Sequence, residues 1–149
     1  MATKRPAIGS INWVDLTVGA AERVRDFYQE VVGWQSTGLD MGGYDDFCMN
    51  LKEGGSTVAG ICHARGPNAG LPPVWLVYIT VADVEQSAAR CVDLGGVVVA
   101  GPKDMGSMGR YCVIRDPAGA VAALFQPARP AARRRRRGKT GRTGRAKSR

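Results

Sequence analysis

The sequence predicts an α+β fold: two paired βαβββ modules whose mixed sheets curl around a central cavity, with the helices outside. Three observations carry this. Apolar and polar residues alternate from Ile8 to Val18, the period of a strand. A helical spacing follows from Ala20 to Val32, and the same strand-then-helix order returns from Val74 to Leu94. One offset of 63 positions then relates the halves, placing Val18 on Val81, Gly33 on Gly96 and Ile61 on Leu124. These are the end of the first strand, the end of the helix and the last strand of each half. Three landmarks kept in register without a gap mark an internal repeat.

Residues 8–64 make the first module. In its helix, Ala20, Val24, Phe27, Tyr28 and Val31 form one apolar face, and Gly33 supplies the C-terminal stop. Trp34–Leu39, Tyr44–Leu51 and Ser56–Ala64 read as strands between glycine turns. Residues 65–73 are a linker rich in Gly and Pro. Residues 74–127 make the second module. Its strand Val74–Ala82 leads into a helix over Asp83–Leu94, where Asp83 and Gln86 have capping-box spacing. Val97–Ala100, Gly109–Arg115 and Ala120–Gln126 are strands, and Asp116–Gly119 is a turn.

Composition narrows the function. The chain has 149 residues and 44% apolar side chains, the size and make-up of one globular domain. No apolar run approaches the ~20 residues of a membrane-spanning helix, and no signal-peptide stretch follows Met1, so a cytoplasmic location without membrane contact is expected. Residues 129–149 carry 11 basic residues and no acid. The whole chain has 21 basic and 13 acidic residues, so residues 1–128 keep 10 basic against 13 acidic, net −3. The basic character belongs to residues 128–149, which are expected to form a disordered tail. Its Arg133, Arg134, Arg135, Arg136 and Arg137 suit non-specific contact with nucleic acid or another polyanion. Cys48, Cys62, Cys91 and Cys112 form no CxxC pair, which argues against a zinc ribbon or redox motif.

Three segments carry a family resemblance: "FYQEVVGW" (Phe27–Trp34), "VYITVADVEQSAARCVDLGG" (Val77–Gly96) and "GRYCVIRDPAGAVAALFQP" (Gly109–Pro127). With them, residues 8–127 resemble the vicinal oxygen chelate superfamily of glyoxalases, bleomycin-resistance proteins and extradiol dioxygenases. The resemblance implies the paired-module fold and, commonly, a homodimer. It does not choose a reaction, because one fold hosts many chemistries. Metal-dependent members take ligands from two strand positions in each half. Matched by motif, those positions hold Trp13, Gly60, Leu76 and Ala123 here. None offers a metal-binding side chain, and shifting the register by one residue does not supply a set. No metal or other cofactor is therefore expected, unless that assignment of ligand positions is wrong.

Strand parity gives the cavity a different lining. Trp13 shares a face with Asp15, Leu76 with Tyr78, and Gly60 and Ala123 leave room beside them. Phe125 falls on the same parity as Ala123, and Arg110 lies in a late strand where it can meet an anionic group. The expected ligand-binding set is thus Trp13, Asp15, Gly60, Leu76, Tyr78, Arg110, Ala123 and Phe125. Asp15 and Tyr78 are the candidate acid–base pair. Met105 and Met108 sit in a glycine-flanked loop near the mouth. His63, the sole histidine, has opposite parity to Gly60 and Cys62 and should face away. Three functions are compatible with this lining: binding of a small organic molecule without the superfamily metal, a lyase, isomerase or dioxygenase reaction using Asp15 and Tyr78 or an unidentified metal site, or polyanion association through the tail.

Overall fold

A computed structural model describes residues 5–129 of the chain. The expectations for Arg133–Arg137 and for the tail beyond residue 129 lie outside the described residues. Eight strands form one mixed sheet: β1 (Ile11–Val18), β2 (Gln35–Asp40), β3 (Asp45–Asn50), β4 (Thr57–His63), β5 (Trp75–Thr80), β6 (Val97–Asp104), β7 (Gly109–Arg115) and β8 (Val121–Pro127). Two helices, α1 (Ala21–Val32) and α2 (Val84–Asp93), complete the fold. The strand order is β2-β3-β4-β1-β5-β8-β7-β6, so the second half repeats the first in mirror sequence about the β1–β5 seam.

The register carries the repeat residue by residue. In the parallel pair of β1 with β4, Asp15 lies opposite Gly60, Leu16 opposite Ile61 and Thr17 opposite Cys62. In the parallel pair of β5 with β8, Tyr78 lies opposite Ala123, Ile79 opposite Leu124 and Thr80 opposite Phe125. Adding 63 to each residue of the first set produces the second. β1 and β5 pair antiparallel and join the halves, with Trp13 opposite Tyr78 and Asp15 opposite Leu76.

Alternation along the strands separates two faces. One face of the first half packs Phe47, Met49, Ala59 and Ile61 against Ala21, Val24 and Tyr28 of α1. The equivalent face of the second half packs Cys112 and Leu124 against Val84 and Ala88 of α2. The opposite face gathers Leu76, Tyr111, Val113 and Ala123, flanked by Tyr78, Met105 and Phe125. That face bears the cavity.

Three local readings need correction. Ile8 is exposed, and β1 begins at Ile11 because Ala7–Ser10 form a turn, with the Ser10 N–H donating to the Ala7 carbonyl at 3.1 Å. On α1, Phe27 and Val31 point outward. The buried stripe is narrower than the apolar spacing implied, because Tyr28 alone fills the gap to Trp34 and Trp75, whose indole donates to the Tyr28 hydroxyl at 3.0 Å. β6 runs on to Asp104 through register shifts on both sides of Ala100, past the Gly101-Pro102 pair that looks like a terminator in sequence. The cap on α2 forms as read: the Asp83 carboxylate accepts from the Gln86 N–H at 2.9 Å.

The start of β7 depends on Gly109. Its φ is 136°, and a Cβ there would stand 2.1 Å from the Gln126 carbonyl oxygen. Gly119, in the turn before β8, has a φ of 91° but open space around it. Gly109→Ala is expected to destabilise the chain by about 3 kcal/mol or more, and Gly119→Ala by about 1 kcal/mol. Urea unfolding of both variants checks this, and equal losses would contradict the steric account.

Candidate functional site

The cavity lies where β1 and β5 meet. It has two lobes of about 390 and 310 Å³ that share Trp13, Asp15, Tyr78, Met105 and Met108. Pro6, Asn12 and Phe125 close the first lobe. Thr17, Asp46, Cys48, Gly60, Cys62, Asn68 and Tyr111 line the second, with Leu39 and Met41 at its rim. A partly enclosed apolar hollow with a few converging polar groups is the usual form of a small-molecule site. A larger cleft of about 710 Å³ beside α1 is wide open. Its two arginines lie over aromatic rings, Arg25 on Phe47 and Arg65 on Tyr44, and it has no comparable apolar wall, so the seam cavity is the better candidate.

Strand parity brings Trp13, Asp15, Gly60, Tyr78 and Phe125 to this cavity together. Leu76 and Ala123 are on the same face but buried in the cluster with Tyr111 and Val113, below the lining. Arg110 is elsewhere. Next to Tyr111 in the strand, it projects to the helix side, where its guanidinium pairs with Glu85 of α2. The expectation that it meets a ligand anion in the cavity is therefore not supported by its position: a one-residue step along a strand reverses the side chain.

Asp15 is the unusual group. Its residue is 8% exposed, and its Oδ1 is buried without a hydrogen-bond partner among the described residues. The Trp13 indole N–H donates to Oδ2 at 3.3 Å. Burial pushes the carboxyl up to about 6, against the opposing effects of the nearby Tyr78 hydroxyl and the Trp13 indole. Burial and the same carboxylate hold the Tyr78 hydroxyl well above the ordinary tyrosine range. The Cys62 thiol is likewise pushed far up, first by burial and then by Asp15 and Asp46. It is a packing group rather than an activated nucleophile.

The other buried carboxylate is satisfied. Where the β3–β4 ladder ends, Asp46 Oδ1 accepts from the His63 backbone N–H at 2.8 Å and lies 3.2 Å from its Nδ1. His63 Nε2 is 3.0 Å from Glu22 on α1. The histidine thus faces the helix side, as its parity indicates, and ties α1 to the sheet.

The family's metal positions can be tested against this geometry. A Cβ on Gly60 would lie 3.1 Å from Asp15 Cβ and 3.3 Å from the Trp13 ring, so the indole occupies the ground beside Gly60. Trp13, Gly60, Leu76 and Ala123 bring no acceptor side chain to a cation, and they do not fit a metal ion. Among the described residues, no cluster of three or more His, Cys, Asp and Glu side chains is arranged to hold one. No helix among them is long and apolar enough to cross a membrane.

Asn68 and Tyr111 were not among the residues singled out from sequence. Tyr111 lies in a correctly read strand, but sequence alone does not say which face of that strand meets the cavity. Asn68 sits in a turn, Gly66–Asn68, within the linker, where no periodicity points at it.

Asp15 has a consequence for stability. Its carboxyl binds a proton more tightly folded than unfolded, so stability rises as pH falls from about 6 towards about 4. At pH 7 both states are ionised, and the folded state carries the whole cost, on the order of 3 kcal/mol. Asp15→Asn is expected to flatten this part of the pH profile and to be more stable than the parent at pH 7. Thermal unfolding between pH 4 and 7 checks this, and an unchanged slope would contradict it.

Comparison with known proteins agrees with this architecture. Residues 10–124 match the profile of the Glyoxalase/Bleomycin resistance protein/Dioxygenase superfamily. The chain is 32% identical over 120 residues to the candidate glyoxylase CFP32 of Mycobacterium bovis, an alignment covering 80% of this chain and 45% of that protein. It is 31% identical over 137 residues to the anthracycline biosynthesis protein DnrV of Streptomyces peucetius, covering 82% and 48%. The chain thus spans about half the length of these relatives. Among solved structures, a methylmalonyl-CoA epimerase in complex with methylmalonyl-CoA and NH4+ superposes with a TM-score of 0.52 at 17% identity, covering 82% of this chain and 96% of that one. The methylmalonyl-CoA epimerase of Mycobacterium tuberculosis gives 0.50 at 15%, covering 86% and 95%. At such identities the likeness concerns the fold alone. From the family match and the two relatives, this chain belongs to the Glyoxalase/Bleomycin resistance protein/Dioxygenase superfamily.

Proposed function

We propose that this chain binds a small organic molecule in the seam cavity, with Asp15 in place of the superfamily metal as the polar anchor. One observation carries the reading: in the wall of an apolar cavity, Oδ1 of the buried Asp15 has no hydrogen-bond partner among the described residues. Such a group is costly unless something pairs with it. A ligand bearing a cation or an N–H or O–H donor supplies the missing bond. Trp13, Phe125, Met105 and Met108 offer the apolar and aromatic surface for its skeleton, and methionine adapts readily to different shapes.

A second reading is favoured by the same residue. A carboxyl that ionises at about 6 is suited to take a proton from a bound molecule near neutral pH, with Tyr78 beside it as a hydrogen-bond donor. Binding comes first in either case.

Binding is tested by two-dimensional NMR of the tryptophan indole N–H signals during a screen of aromatic amines. Trp34 and Trp75 lie in the aromatic cluster against α1, so a cavity ligand should move the Trp13 signal and leave theirs in place. Asp15→Asn should weaken a bound amine by roughly tenfold to a hundredfold, the range of a hydrogen bond to a charged group. Movement of Trp34 and Trp75 instead of Trp13 would place the site elsewhere, and undiminished affinity in Asp15→Asn would remove the carboxylate from the account.

A further inference from the structure

Asn68 faces the cavity from the linker between the modules, and its neighbours determine which way its amide points. Lys103 Nζ lies 3.0 Å from Asn68 Oδ1, and the Tyr111 hydroxyl lies 2.9 Å from the same oxygen. An ammonium group can only donate, so the atom it meets must be the amide oxygen. The amide orientation follows from chemistry. With the oxygen occupied twice, the Nδ2 hydrogens are turned away from Lys103 and Tyr111.

The linker holds Asn68 firmly. Lys103 also donates to the Pro67 carbonyl at 2.9 Å. The Asn68 N–H donates to Arg65, and the Asn68 carbonyl accepts from Leu71. Leu71 packs on the Leu76–Tyr111 cluster below the cavity. Desolvation lowers the Lys103 pKa, in keeping with an ammonium held against protein. No hydrogen bond from Nδ2 to another described residue accompanies these contacts. The second lobe is lined by two unlike residues, Asp15 from β1 and Asn68 from the linker, and the Asn68 Nδ2 hydrogens are left for another partner.

We propose that Asn68 is a specificity-determining residue, donating through Nδ2 to a carbonyl or ether oxygen of a ligand whose N–H or O–H group is held by Asp15. The ligand class is then an apolar ring system with a donor at one end and an oxygen acceptor at the other. Lys103 and Tyr111 are positioning residues that keep the amide from turning over. This inference rests on the binding role proposed for the cavity and adds the second polar contact to it.

Three probes with the same bicyclic skeleton test it: an aminotetralone, the tetralone without the amine, and the aminotetralin without the ketone. Affinities come from the Trp13 indole signal in the full chain. Asn68→Leu should weaken both ketone probes by about three- to tenfold, the size of one neutral hydrogen bond, and leave the aminotetralin unchanged. Asp15→Asn should weaken the two amines and spare the tetralone. Asn68→Asp keeps the side-chain shape and the oxygen facing Lys103 but loses the donor, so it should weaken the uncharged tetralone as Asn68→Leu does, even if that variant folds poorly. Equal weakening of all three probes in the Asn68 variants would reduce Asn68 to a structural role and overturn the proposal. Unchanged affinities would overturn it too, while leaving the cavity reading intact. If no probe moves the Trp13 signal of the parent chain, the cavity reading fails and this inference fails with it.

Discussion

Five residue pairings between β1 and β5, from Ile11 opposite Ile79 to Leu16 opposite Trp75, join the two halves of the sheet. Each half has one helix for four strands, so one face of each sheet half would lack a helical cover. Pairing the halves along this seam gathers the uncovered faces around one cavity. The seam also determines which residues meet there. Trp13 lies opposite Tyr78 and Asp15 opposite Leu76, and the register shift between Ile11 and Trp13 leaves Asn12 as an extra residue at the edge of the first lobe. Moving β1 by one residue against β5 would turn Trp13 and Asp15 to the helix side and bring Val14 and Leu16 into the cavity beside Tyr78.

Within that frame, the buried polar groups divide into two kinds. Asp46 accepts from the His63 backbone N–H, and the His63 ring lies between Asp46 and Glu22, which ties α1 to the end of the β3–β4 ladder. Their arrangement reads as structure. Asp15 is different, because its indole contact leaves one oxygen without a partner among the described residues. Satisfied networks support a fold, whereas an uncompensated buried charge lowers stability and is the kind of feature that marks a binding site. The symmetry of the chain sharpens the contrast. The position 63 residues after Asp15 holds Tyr78, so two equivalent points of the repeat present an acceptor and a hydroxyl to the same space.

Much of the fold was legible because periodicity reports it directly. The offset of 63 anticipated the identical β1–β4 and β5–β8 registers, and parity brought Trp13, Asp15, Gly60, Tyr78 and Phe125 to the two lobes of one cavity. What escaped depends on information that periodicity does not hold. Arg110 was misplaced because the face of β7 that meets the cavity is settled by its pairing with β8, where Tyr111 lies opposite Phe125. Asn68 was invisible because its role comes from Lys103 and Tyr111, both more than thirty residues away in sequence. The outward turn of Phe27 and Val31 reflects the bulk of Tyr28, Trp34 and Trp75, which takes up the space beneath α1.

In the proposed reading a lone carboxylate, not a metal ion, is the polar anchor of this cavity. Metal content is the measurement that bears on it. The chain would be purified without chelator, dialysed in turn against Mn, Fe, Ni and Zn, and analysed by elemental mass spectrometry beside Asp15→Asn. The account predicts no near-stoichiometric metal in either protein. Near-stoichiometric metal in the parent chain that disappears in Asp15→Asn would contradict it and make Asp15 a metal ligand.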